Sequence, residues 1–439
     1  MPLPRDLFIE EGRADLKNYV KAKFFVSYPE GLGKAVELII RTQTQTGGMK
    51  FRIGDVPTPL IIDNFNPQAR EGNVEILYPI DFFDPRYGGI TELLNFLLGE
   101  VFEMSFFDKI RLDDLWLPDR LIQEFTGPEW GIEGIRERLG VKERPLLAVV
   151  IRPLFFKEHK AYARRCREIA EAGVDMVVDP HIKPPFRYPP LKDRVYHAIS
   201  ELEEVGRPIL YVVNIGGDRP LAALKQIEEA LDEMGSVKNV QPAVGISFTP
   251  QNFDTIRTVV EDTEADLPVE AHSSIMSVMT WDMNKCCVNL SVLVKLARLA
   301  GADMVHAGSY SAVKKYSIPG LTLPRNYRML TMPLVNIKPS FHIAAGSVNP
   351  LWVYEHVYEF RGTDIIFVVG DYVYRRGFKE GVKNMKEALS DACELHRKRM
   401  EGEEKEFDDF MEKVREWLEA GDEEPSNESV IKWIRGKKK

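Results

Sequence analysis

The chain has 439 residues, a formal net charge of −9, 44% hydrophobic and 10% aromatic side chains. Such a chain buries a sizeable core in two or three domains, as ordinary globular proteins do. Its acidic balance argues against nucleic acid as the main partner, and no apolar run is long enough to span a membrane.

The chain opens without a signal-peptide core. Tyr19 to Val26 reads as a strand and Gly33 to Thr42 as an amphipathic helix. Strand-like segments follow at Met49 to Ile53 and Asn73 to Pro79, then a helical period from Ile90 to Glu103 and a strand beginning at Lys109 to Leu112. This βαββαβ order predicts a ferredoxin-like α+β domain over residues 1–130.

Over residues 131–395 the pattern becomes regular. Apolar, β-branched runs occur at Leu146–Ile151, Val174–Val178, Ile209–Asn214, Val244–Phe248, Val269–His272, Asp303–His306, His342–Gly346 and Ile365–Gly370. Helical stretches such as Glu158–Glu171, Pro220–Met234 and Val288–Ala300 fill most of the gaps. Parallel strands need a helical crossover each time, so this spacing predicts a (β/α)₈ TIM barrel, with an open doubly wound sheet as the competing arrangement. Residues 396–439 are helical and highly charged, with a hinge at Gly421 to Ser426, and read as a solvated cap.

The four cysteines, Cys166, Cys286, Cys287 and Cys393, have no metal-type spacing, and the adjacent pair is poor disulfide geometry. That composition fits a reducing cytoplasm. The charged content of 28%, rich in Glu and Lys, fits a thermophile.

In a barrel of this kind the chemistry sits at the carboxyl ends of the strands. Those ends carry Arg152, Asp179 with His181, Asn214, Ser247 with Thr249, His272, His306, Gly346 with Ser347, and Gly370 with Asp371. Arg152 follows a fully apolar run and needs an anionic partner, either a substrate or Asp179. The histidines are candidate acid/base groups because an imidazole titrates near neutrality. A metal held by Asp179, His181, His272 and His306 is chemically plausible, but no local ligand motif accompanies it. No cofactor is therefore expected.

The segment Gly173-Val174-Asp175-Met176-Val177-Val178-Asp179-Pro180-His181 resembles the second barrel strand of the RuBisCO large-subunit family. So do Tyr78-Pro79-Ile80-Asp81-Phe82-Phe83, Arg111-Leu112-Asp113-Asp114-Leu115, Phe125-Thr126-Gly127-Pro128 and Asp303-Met304-Val305-His306-Ala307-Gly308-Ser309. The resemblance runs from about residue 17 to 395 and implies an N-terminal α+β domain followed by the barrel.

It also implies what is missing. In that family the second strand ends in Lys-Asp-Asp-Glu, whose Lys becomes a carbamate and binds Mg²⁺ with the second Asp and the Glu. Here the Lys position is Val178, the second Asp is Pro180 and the Glu is His181, so no Mg²⁺ is expected. Arg152 and Leu154 replace two working lysines of the first strand. The mobile lysine of loop six falls on Val313, beside Lys314 and Lys315. The phosphate loops lose most of their glycines at Gly346, Ser347, Gly370 and Asp371. The contacts that the family's N-terminal domain makes to a partner's barrel change to Gln43, Gly48, Met49 and Glu100.

The chain is thus similar to the RuBisCO-like proteins, form IV, which keep the fold and lack the carboxylase residues. The resemblance implies an isomerase or enolase-type tautomerase acting on a small anionic, sugar-phosphate-like substrate, in a homodimer or an assembly of dimers. His272, His306 and His181 are expected to move protons with Arg152 and Asp179. Asn214, Gly346, Ser347, Gly370, Asp371, Gln43 and Glu100 are expected to line the substrate. The alternative is a binding or regulatory protein on the same scaffold.

Overall fold

The structure is a computed structural model. It describes residues 7–10, 12–13, 15–44, 59–153, 156, 158–181, 190–216, 219–247, 252–274, 276–316 and 322–421. Fourteen strands lie among these residues: β1 (Phe8–Ile9), β2 (Tyr19–Ser27), β3 (Leu60–Ile62), β4 (Glu71–Pro79), β5 (Lys109–Trp116), β6 (Leu146–Val150), β7 (Met176–Val178), β8 (Ile209–Gly216), β9 (Val240–Ser247), β10 (Val269–His272), β11 (Cys286–Val288), β12 (Met304–His306), β13 (Phe341–Ala345) and β14 (Ile365–Val369).

In the N-terminal sheet the order is β1-β3-β4-β2-β5-β11. Alternate residues of β2, namely Val20, Ala22, Phe24 and Val26, are fully buried. That period of two directs one face onto the helices Leu32–Thr44 and Gly89–Glu103. The antiparallel core β5-β2-β4-β3 has the ferredoxin-like order. The expected strand at Met49 to Ile53 lies outside the described residues. β11 was not expected: the sequence reading starts a helix at Val288, whereas the helix starts at Leu290 and Cys286–Val288 pairs in parallel with β5. The barrel segment thereby lends a strand to the N-terminal sheet.

β6 to β10 and β12 to β14 close into an all-parallel barrel, in chain order around the circle. Each is fully or nearly fully buried, as expected of a sheet covered on both faces. The helix Gly131–Leu139 closes the amino end, where Ile132, Ile135 and Leu139 join Leu146, Met176, Met304 and Phe341 in one apolar cluster. Buried Asp303 fastens this plug by accepting the backbone N–H groups of Trp130 (2.9 Å), Gly131 (2.6 Å) and Val269 (2.8 Å). Gly301 turns the preceding helix into β12 at φ +115°, and a Cβ there would stand 2.8 Å from Val260.

The charged tail is more than a solvated cap. The helix Glu404–Ala420 buries Phe407, Phe410, Met411, Val414 and Leu418, and the expected boundary at residue 396 falls inside the continuous helix Phe378–Met400. Phe410 packs edge-on to Tyr354, and Phe407 to Tyr358. An apolar stripe interleaved with charge explains both the composition and the docking. Among the described residues no helix is long and apolar enough to cross a membrane.

Candidate active site at the carboxyl end of the barrel

β7 ends in Asp179, whose side chain is fully buried. Its carboxylate accepts from Tyr162 and Tyr211 (3.0 Å), from the backbone N–H of Asn214 (3.1 Å), and pairs with Arg194 at 2.9 Å. Arg194 comes from the helix Leu191–Glu203 and is itself 2% exposed. This corrects two expectations. The buried guanidinium partner of Asp179 is Arg194, not Arg152, and Asp179 ties β7, β8 and two helices together rather than facing a substrate. A carboxylate taken from water needs that full set of donors.

Asn214 links this frame to His181. Its amide donates to the carbonyl of Pro180 (3.1 Å), lies 3.5 Å from His181 Nδ1, and accepts from the Gly216 N–H at 2.9 Å. It therefore positions the loop after β7.

Three of the expected residues converge. His181, His272 and His306, from the ends of β7, β10 and β12, each place one ring nitrogen within 4.8 Å of the others. The rings of His181 and His272 stack with centroids 3.1 Å apart. That of His306 meets His272 edge-on at 4.1 Å and His181 at 5.6 Å.

Beneath them lies Glu270, which sequence reading missed. Its Oε1 is 2.6 Å from His306 Nε2 and 3.5 Å from His181 Nε2, while its Oε2 is buried without a hydrogen-bond partner. Burial opposes ionisation of Glu270, but the hydrogen bond and charge of His306, with His181, outweigh it and hold the carboxyl below its ordinary range. His272 is held well below the usual imidazole range by burial and then by the two neighbouring histidines. Its Nδ1 bonds Ser274 Oγ at 2.6 Å, and that hydroxyl meets Ser247 Oγ at 3.0 Å.

The remaining expected residues group elsewhere. Ser347 and Asp371 line a cavity of about 640 Å³ with Ser311, Lys314, Lys315 and Arg375, and with Leu418 of the C-terminal helix and its cap Gly421. Lys315 Nζ donates to Ser347 Oγ at 2.7 Å and lies 3.9 Å from Asp371. Arg152 is exposed, and its backbone N–H donates to Tyr374, another residue of the cavity wall. The Gly346 carbonyl accepts from Ser311, and Gly370 is the N-cap of the helix that begins at Asp371. Gln43 and Glu100 border a separate hollow on the N-terminal domain, where Gln43 bonds Tyr78 and the carbonyls of Phe96 and Leu97. Thr249 and Leu154 lie outside the described residues.

The profile of the family described as ribulose bisphosphate carboxylase large chain, catalytic domain, matches residues 131–320, and that of its N-terminal domain matches residues 58–121. The chain is 24% identical over 409 residues to the ribulose bisphosphate carboxylase-like protein of Archaeoglobus fulgidus, covering 87% of this chain and 89% of that one. It is 28% identical over 326 residues to the ribulose bisphosphate carboxylase of Pyrococcus abyssi, covering 73% and 74% of the two chains. In fold it is similar to the octameric carboxylase of Pyrococcus horikoshii, with a TM-score of 0.75 at 22% identity over 92% of this chain and 95% of that one.

Proposed function

Because the chain belongs to the RuBisCO large-chain superfamily, and a histidine–glutamate cluster occupies its barrel mouth, we propose that it is a form IV RuBisCO-like enzyme. It enolises or isomerises a small sugar-phosphate-like anion and does not fix CO₂. The convergence of His181, His272 and His306 over Glu270 carries this reading, since it brings proton carriers from three strand ends to one point.

The residues at the family's Mg²⁺ position do not fit a carbamate site. Val178 has no amine and packs at 1% exposure in the apolar barrel interior. Pro180 offers only a carbonyl, which Asn214 occupies, and the Asp179 carboxylate is taken up by Arg194 and two tyrosines. A hard cation wants several oxygen donors, and none stands free here among these residues.

In this reading a ring nitrogen of the cluster takes the proton beside the substrate carbonyl and returns it at the neighbouring carbon. Glu270 orients His306 and stabilises positive charge on it as the proton arrives. The anionic end of the substrate sits in the cavity of Lys315, Arg375 and Ser347, on the same face of the barrel, with Arg152 at its edge. The protein works in the cytoplasm as a homodimer or an assembly of dimers.

The test is a thermal-shift screen against phosphorylated pentoses, thio-pentoses and acidic sugars, followed by proton exchange of the binders in D₂O. Ligands that bind the folded state raise its melting temperature. Deuterium should enter the carbon beside the carbonyl, at a rate unchanged by bicarbonate and Mg²⁺. Binding without exchange would overturn the reading and leave a binding or regulatory protein.

A further inference from the structure

We propose that His181, His272 and His306 together form a binding site for one divalent transition-metal ion, which departs from the sequence expectation of no metal. Three imidazole nitrogens within 4.8 Å of one another need only small side-chain adjustments to meet one cation. The rings come from the ends of three strands of one closed barrel, β10 and β12 pairing directly and β7 standing three strands from β10, so the mouth of the barrel brings them together from opposite sides. They are not packed as a parallel stack of three: His181 and His272 lie 21° apart, while His306 stands at 63° to His272 and 84° to His181.

Charge and hydrogen bonding favour the same occupant. Glu270 puts a buried carboxylate oxygen 2.6 Å from His306, and its second oxygen has no hydrogen-bond partner. A cation among the rings adds positive charge beside that carboxylate, and a carboxylate bonded to a ligating imidazole orients the ring and raises its basicity. Ser274 bonds His272 Nδ1, which leaves Nε2 as the atom able to ligate.

Ligand chemistry selects the metal class. Nitrogen donors suit Zn²⁺, Fe²⁺, Co²⁺ or Ni²⁺, whereas Mg²⁺ and Ca²⁺ require oxygen. Three protein ligands also leave a coordination position open, where a substrate oxygen is polarised. The site shares its histidines with the proton-transfer reading and competes with it for their lone pairs. A bound cation occupies the lone pairs that would accept protons and supplies a Lewis acid in their place, so metal content decides which chemistry the cluster performs.

Binding is measured without substrate, so it stands or falls separately from the enzymatic reading. The full chain is stripped with a chelator and titrated with Zn²⁺ by calorimetry and with Co²⁺ by visible absorption. About one equivalent per chain should bind, with ligand-field bands absent from the hydrated ion, and excess Mg²⁺ should not compete. The variants His181→Asn and His272→Asn, compared at equal melting temperature, should each lose at least about tenfold in affinity. Unchanged affinity in the double variant, or no Co²⁺ bands with the native chain, would overturn the proposal. Should the variants fail to fold, X-ray absorption of the Zn²⁺-loaded native chain decides: imidazole scattering from three rings supports the site, and a shell of oxygen alone refutes it.

Discussion

His306 Nε2 lies 2.6 Å from Glu270 Oε1 inside the mouth of the barrel, and both side chains are nearly fully buried. The pair couples the end of β12 to the interior of β10, and with His181 and His272 it forms the chemically equipped part of the barrel's carboxyl face. Its charge is what distinguishes it from a hydrogen-bonded core histidine. Replacing Glu270 with Gln keeps the size and an acceptor oxygen but removes the carboxylate. The expected result is a fall of about 10²-fold in the rate of proton exchange, with little change in the concentration of substrate that half-saturates the protein. Steady-state exchange in D₂O measures both quantities.

Arg194 and Asp179 should behave as frame, not chemistry. Arg194→Met removes the guanidinium from a carboxylate that is 0% exposed, leaving a buried charge without this cationic partner. Removing one partner of such a pair costs about 3–5 kcal/mol. Urea unfolding should register that loss, and a midpoint equal to that of the unaltered protein would contradict the assignment.

His356 predicts a pH dependence of stability. Its Nδ1 donates to the Trp352 carbonyl at 2.6 Å while its Nε2 accepts the Tyr310 N–H at 3.1 Å, so the ring is needed in its neutral form. Burial pushes its pKa from 6.5 down to about 4. Between those values the unfolded chain binds more protons than the folded one. Stability from this group is therefore complete above about pH 6.5 and is lost as the pH falls toward about 4, by about 3 kcal/mol in all. Denaturation midpoints at intervals from pH 7 to 4.5 should show the decline, and a His356→Leu variant should lack that portion of it.

The barrel was legible because its strands are short apolar, β-branched runs separated by helices. The run predicted at Val269–His272 coincides with β10, and Ile209–Asn214 and Ile365–Gly370 differ from β8 and β14 by one or two residues. Cys286–Val288 was not legible, since three residues carry no period and their partner β5 lies far earlier in the chain. The three histidines could be found as strand-end residues. Glu270 could not be found that way, because it sits inside a strand rather than at its end. Its signal was an acidic residue in an apolar run, two positions before His272 and hence on the same face. Arg194 carried a similar signal: it lies on the stripe of Val195, Ala198, Ile199 and Leu202 that the helix buries. A charged residue on an apolar face needs a partner, and here that partner is Asp179.

Proton exchange in a His306→Asn variant shows whether the histidine cluster acts on a bound carbonyl compound. The native chain and the variant, matched in melting temperature, are incubated in D₂O with the phosphorylated sugar that binds the native chain best. The native chain should place deuterium beside the carbonyl, and the variant should do so at least about 10²-fold more slowly. Equal exchange by the two proteins would mean that His306 takes no part in proton transfer.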